Sequence, residues 1–144
     1  MARQDPLTNY RFRVEIDGIA AASFSEVFIE PTKTAVIEYR EGSDPAHVRK
    51  LPGLTTFGNI TLKRGVTGSL DLVNWHLQVV RGEISNARKN LSIVVLDDAG
   101  QDKARFNVSA AWPVKYDPAD LNATGNEVFI ELLELTNEGI ERVS

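Results

Sequence analysis

The chain has 144 residues, 42% of them hydrophobic and 25% charged, with a formal net charge of −4, two histidines and no cysteine. That length and balance fit one domain over residues 1–144, able to bury about two-thirds of its unfolded surface without a disulfide or structural metal. Disulfide scaffolds, thiolate zinc sites and cysteine nucleophiles are excluded, and the acidic balance argues against a nucleic-acid binder working through a broad basic face.

The N-terminus, Met1 to Pro6, carries no apolar stretch of signal-peptide length, and no later run approaches a membrane span. The expectation is a protein made in the cytoplasm whose monomer does not insert stably in a membrane. Asp5 to Asn9 reads as an entry turn. Tyr10, Phe12, Val14 and Ile16 then alternate with Arg11, Arg13 and Glu15, the period-two pattern of a half-buried strand. After the Asp17-Gly18 turn, a strand is expected around Ser23 to Ile29, stopped by Pro31, and another over Thr34 to Arg40. Glu41 to Leu54 contains Gly42, Pro45, Pro52 and Gly53 without a clean period, and reads as a long connection. Strand pattern resumes over Thr56 to Arg64, where Ile60 and Leu62 share a face.

The period then changes. Leu70, Val73, Leu77 and Val80 recur at helical spacing, with Leu72, Trp75 and Val79 widening the stripe, Ser69 placed to cap the start and Gly82 to end it. Leu91 to Leu96 is almost wholly apolar, which predicts a strand covered on both faces. Asp97 to Gly100 is a turn, and the following strand sets Ala104, Phe106, Val108 and Ala110 opposite Lys103, Arg105 and Asn107. Trp112-Pro113 reads as its end. A second long connection, Val114 to Asn126, leads to a last strand over Glu127 to Leu135. There Val128 and Ile130 share one parity and Leu133 and Leu135 the other, predicting a bulge or a strand covered on both faces. The sum is a mainly β (α+β) domain, an antiparallel sandwich or barrel of about seven strands with one flanking helix.

Catalytic chemistry finds no foothold. The histidines, His47 and His76, lie apart, with no Gly-x-Ser-x-Gly elbow and no helical histidine–carboxylate pair. Asp97-Asp98 reads as a turn, and Gly65 to Ser69 lacks the lysine and spacing of a nucleotide loop, so it reads as a helix cap. No catalytic residue, metal ligand or cofactor is expected.

Several ordered segments carry a resemblance. Asp5 to Phe12, Tyr39 to Ser43, Lys50 to Leu54, Asn59 to Val66, the Trp75 helix, Leu96 to Gly100, Ala111 to Tyr116 and Asp120 to Val128 follow one another as in a known family. Together they resemble the inner tail tube proteins of contractile phages and of phage-tail-like contractile injection systems. Phe28 to Pro31 departs from the small turn of many relatives, and Phe129 and Leu132 are bulkier than expected. The resemblance implies hexameric rings stacked head-to-tail into a hollow tube, with sheath and baseplate proteins as partners and cargo effector or DNA in the lumen. It places the chain in an assembled phage tail or injection particle. The alternative is a free ring-forming β-barrel that carries secreted effectors. For a tube, the long Glu41 to Leu54 connection is the candidate ring-stacking contact, through Glu41, His47, Val48, Arg49, Lys50, Leu51 and Leu54.

Overall fold

In a computed structural model, residues 11–17, 19–43, 46, 48–65, 70–118 and 130–144 are described. The first six strands in chain order are β1 (Arg11–Ile16), β2 (Ile19–Phe24), β3 (Glu26–Ile29), β4 (Lys33–Tyr39), β5 (Arg49–Thr56) and β6 (Ile60–Gly65), with apolar alternation clearest in β1 and β6. Then come α1 (Asp71–Val80), a single-turn α2 (Ile84–Ala87), β7 (Lys89–Leu96), β8 (Asp102–Asp117), β9 (Ile130–Thr136) and β10 (Gly139–Arg142). The main sheet runs β2-β1-β7-β8-β9-β6-β3, β10 adds to β8, and β4 and β5 form a separate ribbon. Every pairing is antiparallel. The mainly β class with a flanking helix is as expected.

Two corners curl this sheet around its core. At the first, the single expected strand over Ser23 to Ile29 is two strands, β2 and β3, parted at Ser25. The Ser25 backbone N–H and hydroxyl both donate to the Lys63 carbonyl, at 2.9 and 3.1 Å. At the second, β8 changes partner, from β7 over its first half to β9 over its second. Ala110 lies there with φ 50°, a left-handed conformation costly for a residue with a Cβ, and its N–H donates to Asn90 Oδ1 at 3.0 Å. The register slips beside it, so the buried face passes from Val108 to Ala111 and Ala110 does not continue it, contrary to the simple alternation. Pro113 does not end the strand. It is buried beside a second register shift, where a residue without an N–H is tolerated.

The core joins Val14, Ile16 and Phe24 of one side to Ile60, Leu62, Leu133 and Leu135 of the other, with Leu91, Ile93 and Val108 between. Helix α1 closes it through Leu72 and Trp75, with Val79 packed alongside. Trp75 donates its indole N–H to the Ala87 carbonyl and so fastens α2. Gly82 ends the turn after α1 at φ +80°, as its position predicts. The cap position holds Leu70 without a side-chain cap; Ser69 lies outside the described residues. β7 is covered on both faces as expected: Leu91 and Ile93 enter the core, and Val94 is buried on the other face between cross-strand neighbours Arg13 and Arg105.

In β9 the parity change has a different cause from a bulge. Glu131, Leu133 and Leu135 all point inward and are buried, while Ile130 is exposed; Val128 lies outside the described residues. An inward carboxylate had hidden the period.

Candidate functional site: a protruding ribbon and two free sheet edges

The segment read as a long connection is half strand. β5 pairs with β4 in a ribbon that sets Tyr39 opposite Arg49, Glu38 opposite Lys50, Ile37 opposite Leu51 and Val36 opposite Pro52. The expected strand over Thr56 to Arg64 is correspondingly split, with Phe57 to Asn59 between β5 and β6. Paired residues share a face, so Ile37–Leu51 and Tyr39–Arg49 lie on one side and Val36–Pro52 and Glu38–Lys50 on the other. Neither side is covered, and Leu54 is 84% exposed. Gly53 permits the tight approach at the ribbon's bulge, since a Cβ there would sit 3.1 Å from Ile37 Cγ1 and 3.2 Å from the Ala35 carbonyl oxygen.

Of the sequence-predicted contact residues, the structure gathers Val48, Arg49, Lys50, Leu51 and Leu54 on this ribbon and its tip. Glu41 stands just beyond β4 and accepts a hydrogen bond from Tyr39, which raises the Tyr39 phenol's pKa. His47 lies outside the described residues. A bare two-stranded ribbon is marginally stable in water, and one bearing this many exposed aliphatic side chains wants a covering surface.

The sheet also has free edges. β3 pairs only with β6, and the second half of β8 pairs only with β9 among the described strands. The four strands from β8 through β9 and β6 to β3 alternate in direction, so the two edge strands run oppositely. A head-to-tail copy could therefore continue the antiparallel ladder without a break. Beside β3 lies a cleft of about 560 Å³ lined by Phe12, Val27, Phe28 and Leu132, with Glu26 and Lys63 paired at 3.5 Å on its wall.

On the outer face of β1, β7 and β8, Arg13 reaches Glu15 at 3.1 Å and Asp102 at 3.3 Å, and Arg105 reaches Glu15 at 3.2 Å. The bond from Arg105, aided by Arg13, holds the Glu15 carboxyl below its usual range. The charged face expected for β1 is thus a self-neutralising lattice.

Sequence reasoning missed the one buried ion pair among the described residues. Arg64 (8% exposed) and Glu131 (3%) face each other across β6 and β9, and Arg64 Nε donates to Glu131 Oε1. Tyr116 donates its hydroxyl to Glu131 Oε2 at 2.7 Å, and the guanidinium stands 5.4 Å over the Phe24 ring. The signal was present: Arg64 is in phase with Ile60 and Leu62, and Glu131 with Leu133 and Leu135. The cluster ties β6, β8 and β9 together by hydrogen bonds and brings the guanidinium over Phe24 of β2.

Burial, with the bond to Glu131, pushes the Tyr116 phenol up to about 12. An unfolded tyrosine ionises near ~10, so between these values the unfolded chain releases a proton that the folded chain keeps. Stability present below pH ~10 is therefore lost as pH rises toward 12. Urea unfolding across that range should fall less steeply with pH in Tyr116→Phe than in the parent; equal slopes would contradict the burial of this hydroxyl.

No helix among the described residues is long and apolar enough to cross a membrane, and none of their histidine and carboxylate side chains cluster as a metal site. A curled antiparallel sheet with a flanking helix, a projecting ribbon and open edges defines a β-domain built to associate. The chain belongs to the T4-like virus tail tube protein gp19 family, whose profile matches residues 8–141. It is a tube protein by family. No individually curated protein sequence matches it. Among solved structures it is similar, at 27% identity and TM-score 0.76, to a chain of the extracellular contractile injection system PVC sheath–tube complex in its extended state, covering 96% of this chain and 92% of that one. It is equally similar, at 27% identity and TM-score 0.76, to a chain of the anti-feeding prophage tube-terminating cap, covering 100% and 95%. Hcp1 from Flavobacterium johnsoniae shares the fold at 16% identity and TM-score 0.54, over 91% of this chain and 93% of that one.

Proposed function

We propose that this tube protein acts as a purely structural subunit, without catalysis, assembling into hexameric rings that stack into the conduit of a contractile injection particle or phage tail. Sheath and baseplate proteins would surround and terminate that conduit, and cargo would pass along it. The observation that carries this reading is the β4–β5 ribbon, exposed on both faces and built around aliphatic pairs left uncovered among the described residues. Burying such pairs on a neighbour gains roughly 25 cal/mol per Å². The opposed free edges of β3 and β8 supply the second contact: heterologous joining closes a ring, and head-to-tail stacking remains open as a filament.

Excising residues 36–52, so that Ala35 joins Gly53, tests it. The core residues are all outside that segment. Circular dichroism should report an intact β fold, while electron microscopy should find monomers or single rings where the parent forms tubes. Long tubes from the excised protein would overturn the assignment of stacking to this ribbon.

A further inference from the structure

In an antiparallel ladder, pairs whose backbones bond each other alternate with pairs whose backbones face away. The Glu30 N–H donates to the Asn59 carbonyl at 3.0 Å, one step past the Ile29–Ile60 pair. Glu26, Phe28 and Glu30 therefore turn their backbone groups toward β6, and Val27 and Ile29 turn theirs to the free edge of β3. The register runs unbroken from β3 through β6 and β9 to Lys115, Tyr116 and Asp117 of β8. Carried across, the alternation turns Lys115 and Asp117 toward β9 and leaves the Tyr116 N–H and carbonyl on the free edge of β8. The edge positions to either side are Pro113, across the bulge, and Pro118, past the strand end, and neither has an N–H. Tyr116 supplies the donor between them.

We infer that this edge joins the β3 edge of a second copy in one register, Ile29 opposite Tyr116, so that Glu30 faces Lys115 and Phe28 faces Asp117. The inference rests on the edge contact proposed above and fixes its register. Val27, Ile29 and Tyr116 all turn to the core side, so the join can slide only in steps of two residues. Val27 opposite Tyr116 is the alternative that keeps the two-way backbone exchange. It sets Glu26 against Asp117, like charges directly opposite, and Phe28 against Lys115. Neither Glu30 nor Lys115 has an ion pair among the described residues, whereas Glu26 already holds Lys63 at 3.5 Å and Glu134 accepts from Asn59 at 3.1 Å. The inferred register brings those two unpaired opposite charges together.

Closure selects the same register. A sheet closes into a barrel only with stagger. Within one copy the rows are level: Val27, Leu62, Leu133 and Tyr116 lie directly across from one another. Joining Val27 to Tyr116 would continue that row with no stagger, while Ile29 opposite Tyr116 steps each copy by two residues, about 7 Å. The step also has the correct sense. Seen from the core side with β3 running upward, L-chirality puts its free edge on the right. The natural strand twist then carries a level row to a lower point on each next copy, as this register does.

Glu30 and Lys115 would form a pair whose backbones face away, with Cα atoms about 4.5 Å apart, within disulfide reach. The chain has no cysteine, so a Glu30→Cys, Lys115→Cys double variant can be assembled under reducing conditions, checked by electron microscopy, oxidised and run on a non-reducing gel. Most of the protein should enter a ladder of covalent multimers, while each single variant stops at dimers. Phe28→Cys with Lys115→Cys, diagonal neighbours about 7–8 Å apart in this register, should not ladder. A ladder from that second pair, alone or equally with the first, would overturn the register. So would assembled particles that ladder with neither. If the cysteine variants do not assemble, charge exchange decides: Glu30→Lys and Lys115→Glu should each block assembly and together restore it, and no restoration would overturn the inference. A parent protein that stays monomeric under every condition refutes the assembly reading itself, which the microscopy separates from a wrong register.

Discussion

Glu131→Ala is expected to lower the free energy of unfolding by about 3–5 kcal/mol. The removed carboxylate is almost fully buried, and it is the acceptor for both Arg64 Nε and the Tyr116 hydroxyl. What remains is a buried guanidinium whose Nη2 already lacks a hydrogen-bond partner among the described residues. Phe24 offers only its ring face, worth about 0.5–2 kcal/mol. The penalty comes from the stranded charge and not from the net value of the pair, because desolvating two ions offsets most of their attraction. That distinction is measurable. Arg64→Met combined with Glu131→Leu should recover most of the loss, since an apolar pair fills the same cross-strand positions without an orphaned donor. Urea midpoints for the two singles and the double close the cycle. A Glu131→Ala midpoint within error of the parent would mean that the pair is not buried as described.

The same residues explain which parts of the fold were legible in the sequence. Period-two alternation is a record of one-sided burial, so β1 and the β7–β8 hairpin could be read directly from Phe12, Val14 and Ile16 and from Leu91 to Val108. β5 could not, because neither face of the ribbon is buried and Pro52-Gly53 interrupts it. β8 concealed its length behind the Ala110 bulge and Pro113, and β9 concealed its register behind the inward Glu131. In α1 the apolar pattern was real but covered two arcs, and periodicity alone did not say which arc meets the core. The ribbon residues from Val48 to Leu54 were marked as candidate contacts through composition: a long segment rich in glycine and proline yet carrying aliphatic side chains reads as more than a turn. Its strand geometry was beyond such reasoning, because ribbon pairing depends on a bulge whose position is set by Gly53 packing on Ala35 and Ile37.

Gly58→Ala is expected to abolish tube formation and to cost about 3 kcal/mol of stability. Gly58 lies in the short link from β5 to β6, at the root of the ribbon, directly against Glu30 where the chain leaves β3. A Cβ at this position would sit 2.2 Å from the Glu30 carbonyl oxygen and 2.5 Å from its carbon. These are backbone atoms, so no rotamer change relieves the clash and the two crossing segments must part by about 1 Å. Parting them strains two bonds that fix the root, Glu30 N–H to the Asn59 carbonyl at 3.0 Å and Asn137 Nδ2 to the Gly58 carbonyl at 2.9 Å. A small rotation there is levered along a ribbon about 23 Å long, moving the tip by several times the displacement at the root. Assembly should therefore fail at temperatures where the domain is still folded. Gly139→Ala, outside the ribbon, is the matched control, since a Cβ there meets only the Ser109 side chain at 3.8 Å, an ordinary contact. It should leave both the thermal midpoint and the tubes unchanged. Tubes of normal length from Gly58→Ala would show that the root does not aim the ribbon, and that polymerisation depends on the sheet edges alone.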